Sequence, residues 1–160
     1  MKTVFTAQVM NPYRAKGRRY NAIKGHTGRD LDFRYEDLPS VITGKVVGIT
    51  KQVEMGNCLY IKDVWGGIHV FAHLDSVDVN LYDEVKRDQI IARTGNTGTA
   101  TSGAHLHYEI ITPKPWTDSA KGGTWINRIM SRSLWGFNGY NVDPILYDKY
   151  LYKFFGVSHD

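Results

Sequence analysis

A mainly β fold is what this sequence predicts, on three observations. Short β-branched or aromatic runs recur between glycine and asparagine breaks, the segment "SGAHLHYEI" alternates apolar and polar residues, and two of the runs meet at a glycine pair. With 160 residues, 42% of them hydrophobic, the chain is long enough for one domain with a real core and too short for two ordinary ones. The expectation is therefore a single domain over residues 1–160.

The elements follow in order. "GHTGRDLDF" reads as a turn entering an alternating strand. Strands are expected at Val41–Thr50, with Gly44 and Gly48 as bulge sites, and then at Cys58–Asp63 and Ile68–Leu74. "VWGG" joins the last two, and its Gly66-Gly67 pair suits a tight hairpin turn. Further strands are expected at Ile90–Thr94 and His105–Thr112, separated by the glycine- and threonine-rich "GNTGTATSGA". Beyond Thr112 the segment Pro113 to Asn141 holds three of the four tryptophans and no clean period, which predicts a long loop with one short helix around Trp125 to Arg132. Such a loop is either functional or an aromatic cover for a sheet edge. In the tail, Asp143 suits a helix cap and Pro144 the first helical position, so one or two helical turns are expected.

Composition narrows the function. Lys and Arg exceed Asp and Glu by four, a balance that suits an anionic polymer and equally an ordinary soluble surface. The densest basic run, "RAKGRR", lacks interleaved aromatics, so a solvated loop is expected there and nucleic acid is not an expected partner. The single cysteine, Cys58, excludes an intrachain disulfide and reads as a buried structural thiol. No stretch approaches the roughly 18 to 20 apolar residues of a membrane span, and the apolar run near the amino terminus, broken by Thr and Gln, is too short and interrupted for a signal peptide.

Chemistry concentrates in three short pieces. His105 and His107 lie two apart on a strand, so both imidazoles project from one face with their Cα atoms some 6 to 7 Å apart, a spacing that suits a metal and equally a solvated polar face. His26 precedes Asp30 by four residues, and imidazole with carboxylate is a usual zinc donor pair, although a loop histidine and a capping aspartate would look the same. His73 ends an apolar strand in "HVFAHLD", where an edge or core histidine is the plain alternative.

Together these pieces match one pattern in order. "HTGRD", "FAHL", "GNTGTATSGAHLHYE" and "VDP" (Val142 to Pro144) resemble the motifs of the lysostaphin/LytM family of zinc endopeptidases, over about Asn11 to Tyr147. The resemblance implies an antiparallel β-sheet or sandwich with little helix and a substrate groove walled by loops, here the 113–141 loop and the segment Lys51 to Asn57. It implies one Zn2+ held by His26, Asp30 and His107, with His105 and His73 as the unliganded catalytic pair beside it. His105 is then the candidate general base. His73 either shares that work or donates to the oxyanion and later protonates the leaving amine, and the sequence leaves the division open. Glu109 and Asp32 are candidates to orient the ligand imidazoles, with Glu109 equally readable as a surface charge. Asn57 is a candidate substrate or structural contact, and Trp116, Trp125 and Trp135 are candidate substrate contacts. Phe71 and Ala104 stand where the family commonly has tyrosine and proline, and no ligand or catalytic histidine is missing.

The activity implied is hydrolysis of peptide cross-links in bacterial peptidoglycan, by a monomer acting at the cell wall or periplasm. The alternative is a catalytically silent wall-binding or activator module of the same fold. Without a signal peptide, delivery by phage lysis or on a virion is expected. A cupin is disfavoured, because Glu109 follows the second histidine too closely. Which cross-link is cut is not written in the sequence.

Overall fold

In the computed structural model, described over residues 1–13, 15, 26–113, 128–129, 140–144 and 147, one antiparallel sheet organises the chain. Its strands are β1 (Val9–Asn11), β2 (Arg29–Leu31), β3 (Asp37–Pro39), β4 (Gly44–Gln52), β5 (Gly56–Asp63), β6 (Ile68–Val77), β7 (Glu84–Val85), β8 (Ile90–Thr94), β9 (Leu106–Thr112), β10 (Arg128–Ile129) and β11 (Tyr140–Val142). The main path runs β1-β2-β9-β6-β5-β4-β7, with β8 beside the far end of β6 and β11 beside the far end of β9. Helical conformation among the described residues is confined to Pro144 and Tyr147, where the Tyr147 N–H donates to the Asp143 carbonyl at 3.0 Å, as the cap expectation required. No helix among the described residues is long and apolar enough to cross a membrane.

The two-residue period sorts side chains onto two faces. Leu59 and Ile61 of β5, Phe71 of β6, and Leu106, Tyr108 and Ile110 of β9 join the larger buried cluster, together with Leu31, Leu38 and Ile91. Their neighbours in sequence, Cys58, Tyr60, Val70, Ala72 and Ile111, form a second, smaller cluster on the other face. The smaller cluster runs on into His107 and Glu109, because Ala72 pairs with His107 and Val70 with Glu109. Cys58 is buried as expected, and burial pushes its thiol up to about 12.

Two turn and bulge expectations resolve differently. β4 and β5 do slip register between Val46 and Gly48, and at Gly48 the Tyr60 ring lies against the bare backbone. Gly44 is not a bulge: it pairs in register with Asp63 and Val85, and its lack of a side chain accommodates the Lys62 carbonyl. The β5–β6 connection is a wider loop through Val64–Gly67, closed by two N–H groups, of Trp65 and Gly67, donating to Asp63 Oδ1. Gly66 adopts φ +91 in it, a conformation that glycine permits.

The short helix expected around Trp125 to Arg132 is not what Arg128–Ile129 forms. These residues are β10, paired with Asn141 and Tyr140 of β11, which in turn extends the edge of β9. Ladder partners for the backbone outweigh a weak local preference there. β1, β3 and β7 are two or three residues long, too short for alternation to mark them in the sequence.

Candidate metal centre

Pairing of β2 with β9 sets Asp30 opposite His107, so both side chains leave the same face of the sheet. His26 reaches that face from the segment just before β2, its backbone N–H donating to the Ala15 carbonyl at 3.0 Å. His26 Nε2 lies 3.1 Å from His107 Nδ1 and 3.1 Å from Asp30 Oδ1, and His107 Nδ1 lies 3.0 Å from Asp30 Oδ1. All three residues are buried. A tetrahedral zinc with ligands at 2.0–2.1 Å needs donor atoms about 3.3 Å apart, so this triangle is close to one face of that tetrahedron.

Hydrogen bonds behind each ring test the fit further. His26 Nδ1 faces the Pro12 carbonyl at 3.0 Å, an acceptor only, so Nδ1 carries the proton and Nε2 presents a lone pair. His107 Nε2 donates to Glu109 Oε2 at 3.1 Å, which leaves Nδ1 as the inward acceptor. Three acceptor atoms thus converge with no donor between them, an arrangement that calls for a cation. Electrostatics says the same. Burial disfavours a charged His107, yet its hydrogen bonds to Asp30 and Glu109 raise it to about 9. Burial would likewise raise Asp30, but the three imidazoles around it, of His105, His107 and His26, hold its carboxyl far below the usual carboxylate range. Metal-free, the cluster holds a proton where it would hold an ion.

His73 arrives by a backbone irregularity. Leu59 pairs with Phe71 and Asn57 with Leu74, so Ala72 and His73 together oppose Cys58 in a bulge. His73 takes φ +61, uncommon for a residue other than glycine, and its N–H donates to the Met55 carbonyl at 2.9 Å. Its ring centroid ends 4.8 Å from that of His105 and 6.1 Å from that of His107. Nδ1 of His73 faces the Thr97 carbonyl at 2.9 Å, and Nδ1 of His105 the Gly103 carbonyl at 2.8 Å. The Nε2 atom of His105 then stands 3.5 Å from Asp30 Oδ1. Burial first, and the His107 charge second, pull His73 down to about 4, so it is neutral near pH 7.

The glycine-rich loop therefore orients both remaining imidazoles through carbonyls. It is locked in place by two glycines at positive φ, Gly56 (+67) and Gly98 (+89). A Cβ at Gly98 would overlap the Glu54 carbonyl, and one at Gly56 would overlap Thr97.

Of the other expected residues, Glu109 is fully buried rather than a surface charge, and it also accepts from Thr27 Oγ1 at 3.0 Å. Asp32 pairs with Arg34 instead, because β2 ends at Leu31 and the chain turns away. Asn57 Nδ2 donates to the Leu74 and Asp75 carbonyls at 2.9 and 3.3 Å, bridging the bulge beside His73. Trp116, Trp125 and Trp135 lie outside the described residues. Pro12, Thr27 and Thr97 carry no signal of their own in the sequence: Pro12 and Thr97 act through carbonyls, which leave no mark on residue type.

The sequence and fold have known counterparts. A model of peptidase family M23 matches residues 24–121, which contain all five clustered side chains. Peptidoglycan DD-endopeptidase ShyB of Vibrio cholerae is 35% identical over 88 residues, 55% of this chain and 20% of that protein. A zinc containing peptidase from Vibrio cholerae is 30% identical, with a TM-score of 0.58 over 65% of this chain and 33% of that one. The lysostaphin catalytic domain of Staphylococcus simulans shares the fold at a TM-score of 0.67 and 22% identity, over 91% and 94% of the two chains. The chain spans between a fifth and a third of the length of the curated relatives it matches. With the family model covering more than half of its length, the chain belongs to peptidase family M23.

Proposed function

We propose that this protein is a zinc-dependent endopeptidase that hydrolyses peptide cross-links of bacterial peptidoglycan. The observation that carries the reading is the convergence of three buried acceptor atoms, on His26, Asp30 and His107, beside two further imidazoles. The mixed nitrogen and oxygen donor set, without thiolate, suits a catalytic zinc with an open position rather than a closed structural one. A relative that acts on peptidoglycan, ShyB, supports the substrate class.

In this reading His26 Nε2, Asp30 Oδ1 and His107 Nδ1 hold the ion. Zinc, when bound, polarises the scissile carbonyl and lowers the pKa of water from about 15.7 toward about 7. His105 takes the proton of the attacking water at Nε2, since its Nδ1 proton is committed to the Gly103 carbonyl. His73 is neutral near pH 7 and also presents Nε2 as an acceptor, so it is a second proton acceptor before it can donate to the leaving amine. Trp116, Trp125 and Trp135, and Asn57 beside the bulge, are proposed contacts for the wall peptide or glycan.

The test incubates purified protein with cell walls of defined cross-link type and identifies released fragments by mass spectrometry. Cleavage that stops with a chelator and returns with zinc is expected. Intact walls after prolonged incubation with stoichiometrically zinc-loaded protein would overturn the reading; wall binding without cleavage and without zinc would mark a silent module instead. A Trp→Ala series on wall binding tests the three tryptophans, and unchanged binding in all three would remove them.

A further inference from the structure

We propose that Arg29 and Asp143 form a positioning clamp for the metal ligands His26 and Asp30, an inference that rests on the ligand reading above. Arg29 stands in the chain between those two residues, at the first position of β2. By strand alternation its side chain leaves the face opposite to that of Asp30. There the guanidinium meets the Asp143 carboxylate with two prongs, Nε to Oδ1 at 2.8 Å and Nη2 to Oδ2 at 2.6 Å. The two side chains are only 19% and 14% exposed, so water competes poorly for either.

Asp143 is itself rooted at both ends. It follows β11, whose Val142 pairs with Ile110 of β9, and its carbonyl accepts the Tyr147 N–H at 3.0 Å. The Tyr147 hydroxyl in turn donates to Asp63 Oδ2 at 2.9 Å in the buried interior. A carboxylate fixed to the core thus holds the start of a strand only three residues long. β2 pairs with β9 at all three residues but with β1 only at Asp30 and Leu31, so its start at Arg29 is where the ion pair adds a hold, and its placement is what the centre needs. Asp30 Oδ1 faces His26 at 3.1 Å and His107 at 3.0 Å, while Oδ2 accepts from Asn11 Nδ2 at 2.9 Å. A shift of β2 moves Asp30 and His26 against His107 on β9 and distorts the whole triangle. The two-pronged geometry uses the planar fork of arginine, which lysine cannot reproduce.

The experiment replaces zinc with Co2+, whose visible bands report coordination geometry, and measures affinity by chelator competition. Thermal unfolding of the same samples reports folding separately. Arg29→Lys, Arg29→Gln and Asp143→Asn are each expected to weaken Co2+ binding about tenfold and to shift the bands. The double variant R29Q/D143N should lose no more than either single one, because the two side chains act as a unit. Asp143→Glu, which keeps a carboxylate, should recover most of the affinity and serves where Asp143→Asn folds poorly. Glu36→Gln, which breaks the Lys2–Glu36 ion pair elsewhere on the molecule, should leave the bands unchanged. Parental bands and affinity in R29Q and D143N, whatever their melting temperatures, would overturn the clamp and leave the ligand reading standing. Additive losses in the double variant would overturn it too. A parent protein that binds no Co2+ would overturn the ligand reading, and the clamp with it.

Discussion

Two buried histidines on opposite faces of the same sheet meet carboxylates in opposite ways. His107 faces Asp30 and Glu109 on one side; His69 faces Asp63 on the other, Nε2 to Oδ2 at 3.0 Å. Around His69 donors and acceptors balance. Asp63 accepts from Trp65, Gly67, Tyr147 and His69, and the second ring nitrogen of His69 meets the Tyr108 hydroxyl at 2.7 Å. Around His107 they do not, since a second imidazole presents another lone pair at 3.1 Å. Burial and residue types are alike in the two places. Surplus acceptors make one a candidate metal centre, and closure makes the other a structural knot.

The largest expected effect breaks the open site. His107→Ala should remove stoichiometric zinc, read by elemental analysis, and lower wall-peptide hydrolysis on the order of a thousandfold or more. Full zinc content in that variant would sink the ligand assignment.

Asp63→Ala breaks the closed knot and should behave differently. It leaves four donors without their acceptor, so urea unfolding should show a loss of about 3–5 kcal/mol, with one zinc still bound by the folded protein. Zinc loss at unchanged stability would reverse the contrast between the two histidines.

Metal-free protein should reveal the open site through pH. The folded value of His73, about 4, lies below its usual 6.5, so the unfolded chain holds more protons between those values and stability is lost as pH falls from 6.5 to 4. For His107 the folded value of about 9 lies above 6.5, so its contribution is complete below pH 6.5 and is lost as pH rises through 9. Each amounts to about 3 kcal/mol, and urea titrations of chelator-treated protein should peak near pH 6.5. Zinc-loaded protein should instead gain stability from pH 5 to 8, because protons compete with the ion for its ligands. A flat metal-free profile would contradict the assigned partners. The smallest effect is expected for Tyr147→Phe, about 1 kcal/mol in the same titration, since Asp63 keeps three donors.

Legibility followed chain distance. Four of the five clustered side chains stand at local spacings, His-x-x-x-Asp and His-x-His, whereas His73 stands out only through the likeness of "FAHL" to a family motif; Leu106 between the two histidines could be assigned to the core by alternation alone. The burial of Glu109 could not. Its position two beyond His107 fixes the face, but only pairing of Val70 and Glu109 across β6 and β9 seals it from water. His69 gave no signal at all in the sequence, being one more residue of an apolar strand. The β10 strand was hidden for a similar reason, since two residues carry no period and acquire their ladder only from β11.

The sequence by itself determined the β character of this protein, the two faces of its main strands and the types of side chain available for chemistry. All of these depend on neighbours within a few residues, where backbone geometry is shared. Tertiary structure alone decided that His73 turns inward at a bulge with φ +61, that Thr97 and Gly103 aim the two free imidazoles, and that Arg29 meets Asp143 across 114 positions of chain. It also decided which buried histidine has its hydrogen bonds closed and which is left facing another lone pair. That distinction is a balance of donors and acceptors in space, and residue order does not encode it until the strands have paired.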